Sequence, residues 1–313
     1  MQNKIIAVAG PTASGKTALS IEIAKEFGGE IVSCDSMQIY KGMDVGTAKP
    51  TEEEKAGIVH HMIDVAEPFE NYNVVNYKND AEKSIDDILS RGKLPVMVGG
   101  TGLYMDSVLN NVKFSEADNK ISNERERLNR LYEENGKEYI HLMLRNIDPE
   151  SAEKIHPNNV RRVIRALEIY YTTGKTMTEA NEESVQPKKY DSLVIGLSWD
   201  REVLNERINR RVDLMVERGL VDEVIALKNT GVTKNCTAMQ AIGYKEIYSY
   251  LDGEVTLLEA IEKIKLESRK YAKRQMTWLR RNKDIKWILL QNDYNLNKIY
   301  EQCFTLVKKF DII

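Results

Sequence analysis

Short apolar runs recur along the chain, each ending in a turn or a polar switch: Ile5–Ala9, Ile31–Cys34, Leu94–Val98, Leu193–Leu197 and Trp287–Leu290. Most are rich in β-branched residues and too short for buried helices, so they predict strands covered on both faces. Amphipathic helical patterns fill the intervals. This alternation predicts an α/β fold, a doubly wound parallel sheet with helices on both sides. Ligands of such sheets bind beyond the carboxyl ends of the strands. Gly10–Thr17, Asp35–Tyr40 and Gly99–Tyr104 each follow a strand directly and are expected to converge on one cleft.

The rhythm breaks once. Nearly a hundred residues separate the third apolar run from the fourth, and residues 114–190 are charged, helical in period and poor in strand formers. They predict a helical insertion between a first core segment, 1–113, and a second, 191–313. Near the end of the second segment, Lys and Arg outnumber acids nine to two between Ile261 and Lys283. On a helix Lys263, Lys270, Arg274 and Arg281 share one stripe, with Arg269, Lys273 and Arg280 beside it. Ile261, Ile264, Tyr271 and Trp278 fall on a different side, suited to a core. Such a cationic face fits phosphate tracking along a nucleic acid, and equally a solvated face with local ion pairs.

Composition changes the picture little. The 313 residues are 42% hydrophobic, enough for a full core, and the net charge of −3 argues neither for nor against nucleic acid, because clustering decides. Cys34, Cys236 and Cys303 lie far apart without metal-ligand spacing, so a zinc site or disulfide framework is not expected and a reducing cytosol fits. The N-terminal stretch has the marks of no signal peptide, and no apolar stretch nears the ~18 residues of a membrane span. Nothing reads as a symmetric interface, which favours a monomer.

The chemistry starts at the first strand. Gly10-Pro11-Thr12-Ala13-Ser14-Gly15-Lys16-Thr17 meets the G-x-x-x-x-G-K-[ST] pattern in full, between a strand and a helix. The glycines let the backbone wrap closely, the loop N–H groups point inward, and the helix adds its positive end. Lys16 supplies a point charge and Thr17 an oxygen for Mg²⁺. This is a P-loop, NTPase-like, built for a diphosphate or longer. A hydrolysing enzyme of that class needs a strand ending in an aspartate to hold the metal. Here Leu94–Val98 runs into GGTGLYMDSVL, and the carboxylate at a strand end is Asp35.

GPTASGKT, DSMQIYKGMDVGTAKP, HHMIDVAEP, VGGTGLY, RALEIYYTTGKTMTE, GLVDEV, AIGYKEIYSYLDG and AKRQMTWLRR follow one another along nearly the whole chain. In order and content they resemble the signature blocks of the tRNA dimethylallyltransferase (tRNA isopentenyltransferase) family. The resemblance implies transfer of a dimethylallyl group from dimethylallyl diphosphate to N6 of the adenine just 3′ of the anticodon. The loop Gly10–Thr17 then holds the diphosphate of the prenyl donor, with Mg²⁺ on Thr17. An exocyclic adenine amine is a poor nucleophile and needs a carboxylate to accept its proton, a role that suits Asp35. Lys16 and the loop N–H groups neutralise the leaving diphosphate. Thr101 is placed to bond the adenine or a bridging phosphate oxygen. Arg125, Arg207 and Arg211 resemble family arginines near the diphosphate.

The same resemblance places tRNA. Arg161, Arg162, Val163 and Arg165 in the insertion, Gln240, Tyr244 and Lys245, and Lys270, Arg274 and Arg281 are expected against the anticodon stem-loop. Asp35, Ser36, Met37, Gln38 and Thr101 would read an adenine drawn out of its stack, with Gln38 able to pair with its edge. Read alone, Asp35 also fits a helix cap or an Mg²⁺ ligand, and Thr101 a cap for Leu103–Leu109. His60 and His61 are neighbours and cannot both face one metal from a regular element, which favours structural or polar contacts. Three rival functions stay open: a small-molecule kinase, which leaves the basic segment unexplained; an adenylate isopentenyltransferase, which needs no insertion; and an RNA-binding protein with a vestigial loop.

Overall fold

The computed structural model describes residues 3–114, 123–291 and 295–310. Six strands, β1 (Lys4–Ala9), β2 (Gly29–Cys34), β3 (His60–His61), β4 (Leu94–Gly99), β5 (Asp191–Trp199) and β6 (Lys286–Leu290), form one sheet in the order β3-β2-β4-β1-β5-β6, every pair parallel. The five expected strands are all present. The two-residue β3 is an addition, because two residues carry no period to read.

Alternation along β1 explains the layering. Ile6 and Val8 join a core with Leu19, Ile23 and Val307, whereas Ile5, Ala7 and Ala9 join another with Tyr77, Ile85 and Met105. The first core lies under α1 (Lys16–Glu26), the second under α3 (Val74–Ser90) and α4 (Gly102–Leu109); the short α2 (Glu52–Lys55) sits in the connection before β3. This is the expected doubly wound arrangement.

Two compact units divide the chain. Residues 110–188 form one, close to the expected insertion of 114–190, and the rest form the other. The 110–188 unit contains α5 (Asn123–Ile147), α6 (Pro149–Lys154), α7 (Val160–Thr173) and α8 (Met177–Glu183). It has a core of its own around Leu128, Ile140, Leu144, Val163 and Leu167. The larger unit continues after β5 with α9 (Arg201–Glu217), α10 (Leu220–Asn229), α11 (Tyr244–Leu251), α12 (Leu257–Leu279) and, after β6, α13 (Leu296–Lys309). A third core there joins Ile39, Tyr40 and Met43 to Val212, Leu220, Tyr244 and Ile264. Helix α12 takes part in all three cores of this unit, through Ile264, Ala272 and Leu279. Among the described residues no helix is long and apolar enough to cross a membrane.

Candidate active site

The sheet order sets the site. β1 and β2 both neighbour β4, so the loops that follow these three strands lie side by side at their carboxyl ends. Backbone and side chain stitch them together: Thr101 N donates to the Cys34 carbonyl at 3.3 Å, and Ser36 N donates to Thr101 Oγ1 at 3.2 Å. The Thr101 hydroxyl thus turns to Ser36, while its carbonyl accepts the first helical bonds from Tyr104 and Met105 of α4.

The phosphate loop keeps the geometry its glycines suggest. Gly15 has φ of 90°, a left-handed conformation that favours glycine, and a Cβ on Gly10 would stand 2.7 Å from Ser14 Oγ. Ala13 shares the left-handed region at φ 62°, a strained choice for a residue with a Cβ. The loop is braced from behind. Trp199 Nε1 donates to the Ser14 carbonyl at 3.0 Å, and Arg207, stacked on Trp199 at 4.3 Å, donates through Nε to the Ala13 carbonyl at 3.0 Å. Arg207 therefore holds the loop's backbone.

A cavity of about 320 Å³ opens against this loop, lined among others by Lys16, Thr17, Asp35, Arg211, Tyr271 and Arg274. A second, of about 480 Å³, lies along residues 13–18 and shares Lys16, Thr17 and Arg211 with the first. Burial, then the nearby Arg211, lowers the Lys16 ammonium to about 8 against a partly compensating Asp35. Burial likewise pulls Arg211 down, opposed by Asp35. Arg211 Nη2 reaches the Thr47 carbonyl at 3.3 Å, yet its buried Nε has no partner among the described residues. Two desolvated cations beside a cavity make a site for an anion.

Asp35 stands opposite. Its Oδ1 accepts from Met37 N at 2.9 Å and more weakly from Gln38 N at 3.4 Å, which fixes the carboxylate at the end of β2. No hydrogen bond from a described residue reaches Oδ2. Tyr271 faces the same cavity, its phenol pushed up to about 12 by burial and by Asp35.

Several expected contacts change character. Gln38 spends its amide internally: Oε1 accepts from Ser33 Oγ at 3.1 Å, and Nε2 donates to the Thr47 and Ala48 carbonyls at 3.3 Å. It braces a loop and has no donor or acceptor pair to offer an adenine edge in this arrangement. Tyr244 is fully buried, its hydroxyl donating to Glu223 Oε1 at 2.5 Å, and Val163 is a core residue of the helical unit. Neither side chain can touch RNA from there. Tyr271, expected in a core, is half-buried at the cavity instead.

Gln240, Lys245 and Arg274 do line the first cavity. Arg274 lies over the Tyr271 ring at 5.7 Å, Arg281 over Trp278 at 5.2 Å, and Lys270 pairs with Glu267 at 2.8 Å. In the helical unit Arg161 and Arg162 are exposed, while Arg125 and Arg165 both donate to the buried carboxylate of Glu168 at 2.7 Å. His60 and His61 form β3 and serve polar contacts, His61 Nε2 lying 2.7 Å from Glu30 Oε2.

Sequence reading missed two residues. Glu223 accepts backbone N–H bonds from Asp44, Val45 and Gly46 at 2.8, 2.7 and 3.0 Å, shaping the loop that meets Arg211. Gln275 joins the phosphate loop to the loop after β4. Both lie inside recognised blocks, GLVDEV and AKRQMTWLRR, so the blocks marked the segments without revealing the contacts.

Comparison with known proteins meets this geometry from outside. A sequence profile described as IPP transferase matches residues 38–282, and one described as isopentenyl transferase matches residues 3–69. A tRNA dimethylallyltransferase of Acetivibrio thermocellus is 53% identical over 289 residues, covering 91% of both chains. One from Bacillus cereus is 51% identical over 286 residues, covering 91% of this chain and 90% of its own. Among solved structures, the tRNA isopentenylpyrophosphate transferase of Bacillus halodurans shares 43% identity at a TM-score of 0.74, covering 99% of this chain and 97% of its own. A eukaryotic dimethylallyltransferase captured acting on tRNA superposes at 0.83 with 32% identity, covering 99% of this chain and 79% of its own. With a fold and a phosphate loop of this kind, and likeness at this level from end to end, the chain belongs to the tRNA dimethylallyltransferase family.

Proposed function

We propose that this chain transfers the dimethylallyl group of dimethylallyl diphosphate to N6 of the adenine 3′ to the anticodon in tRNA, releasing diphosphate. The observation that carries the reading is the pairing of the half-buried Lys16 and Arg211 with the Asp35 carboxylate around one cavity. The cations suit a leaving diphosphate, and the carboxylate suits an amine that must lose a proton. As the N6–C1 bond forms, the C1–O bond breaks, its electron pair leaves with the diphosphate, and Asp35 accepts the amine proton. Lys16, Arg211 and the loop N–H groups meet the charge that develops on the leaving group. Thr101, joined to Ser36, holds the base side of the cleft. The two cavities that share Lys16, Thr17 and Arg211 supply separate approaches, one for the base and one for the prenyl donor.

The donor set fits Mg²⁺. Among the described residues no cluster of three His, Cys, Asp or Glu could hold a metal alone. Thr17 offers a hard oxygen on the cavity beside Lys16, as suits an ion that takes few protein ligands and completes its shell from phosphates and water. Bound there with diphosphate, the ion would add positive charge at the departing oxygen. For the tRNA, the exposed Arg161 and Arg162 of the helical unit and Lys245, Arg274 and Arg281 of the larger unit offer phosphate contacts. The reaction's setting is the cytoplasm.

Asp35→Ala tests the assignment. Transfer to tRNA should fall by at least about 100-fold, the usual weight of a general base, with diphosphate affinity within a few fold of native. Near-normal turnover would remove Asp35 from the base role.

A further inference from the structure

Helix α12 presents Ile264, Ser268, Tyr271 and Gln275 to the first cavity, in helical steps along a single face. Gln275 differs from its neighbours. It is 6% exposed and uses both ends of its amide, accepting at Oε1 from Thr12 N at 2.9 Å and donating from Nε2 to the Gly100 carbonyl at 3.0 Å. Thr12 belongs to the phosphate loop, Gly100 to the loop that carries Thr101. The fit is tight enough that a Cβ on Gly100 would stand 2.1 Å from Gln275 Nε2. A buried primary amide is costly unless its bonds are made, and here two of them tie together the two loops flanking the cleft, while the amide also meets the Tyr271 hydroxyl. The bond also removes the Thr12 N–H from the set available to a phosphate.

We propose that Gln275 is a positioning residue for the transfer. It fixes the phosphate loop against the Thr101 loop and so sets the separation between the carbon bearing the diphosphate and the amine facing Asp35. This rests on the prenyl-transfer reading above. Gln275 itself touches no reacting atom.

The test uses the full chain with two variants. Gln275→Met keeps the length of the side chain and removes both bonds. At saturating tRNA and dimethylallyl diphosphate its kcat should fall between about 10- and 100-fold, the scale of an ångström-level misalignment, with KM for tRNA within about twofold of native. Gln275→Glu keeps the acceptor for Thr12 N–H but sets its second oxygen against the Gly100 carbonyl unless it carries a proton. Burial raises a carboxyl pKa, so the rate of Gln275→Glu relative to native should climb as pH is lowered, titrations common to both proteins cancelling in the ratio.

A packing role would lower the melting temperature of both variants while leaving kcat per folded molecule native and the pH ratio flat. That pair of results overturns the proposal. If Gln275→Met does not fold, the pH ratio of Gln275→Glu decides alone. If the native chain transfers no prenyl group, the functional reading fails first, and calorimetry with inorganic diphosphate then decides this one. Several-fold weaker binding by folded Gln275→Met supports the loop-fixing role, and unchanged binding overturns it.

Discussion

Lys16 is the residue whose chemistry the site constrains most. In the free protein, burial and Arg211 favour its neutral form, with the ammonium lowered to about 8 from 10.5. A lysine depressed in this way loses its proton as pH rises through about 8, whereas an unfolded chain keeps it until about 10.5. A diphosphate bound against it restores the charged form. Through Lys16, binding should therefore take up a proton above that point and none well below it. Calorimetric titration of inorganic diphosphate in buffers of different ionisation enthalpy would measure this. Measured against Lys16→Arg, so that the ligand's own protons cancel, native uptake should be larger by up to about one proton near pH 9 and equal near pH 6.5. Equal uptake by the two proteins at pH 9 would mean that Lys16 does not meet the anion.

At the scale of elements, the loop after β2 depends on α10. Glu223 accepts three backbone N–H bonds from residues 44–46 and a fourth bond from the Tyr244 hydroxyl of α11. Glu223→Ala strands these partly buried donors and should lower the unfolding free energy by about 2–4 kcal/mol in urea titration. Tyr244→Phe removes one bond and should cost about 1 kcal/mol. A Glu223→Ala loss below about half a kcal/mol would mean that water replaces the carboxylate. The strands and the phosphate loop were legible in the sequence because both are local signals, a short β-branched run and a fixed glycine spacing. What escaped is long-range. The partner of Gln275 lies at Thr12, across most of the chain, and polarity alone does not tell whether an amide faces ligand or closes an internal pair. The same ambiguity made Gln38 look like a base reader and Tyr244 an RNA contact, when both are satisfied inside the fold.

At the scale of the whole molecule, two compact units divide the work. The larger supplies every group placed around the cavities, from Lys16 to Gln275. The 110–188 unit has its own apolar core, a buried Glu168 held by Arg125 and Arg165, and exposed arginines at positions 161 and 162. A kinase would have no use for such a unit, and a prenyltransferase acting on a free nucleotide would need none. The sharpest measurement follows from that division: the native chain with Mg²⁺ and labelled dimethylallyl diphosphate, offered tRNA, free AMP or no acceptor. Label should appear on N6 of an adenine in tRNA and nowhere else, with one diphosphate released per group transferred. Label on AMP, or consumption of ATP with no label on any acceptor, would contradict it.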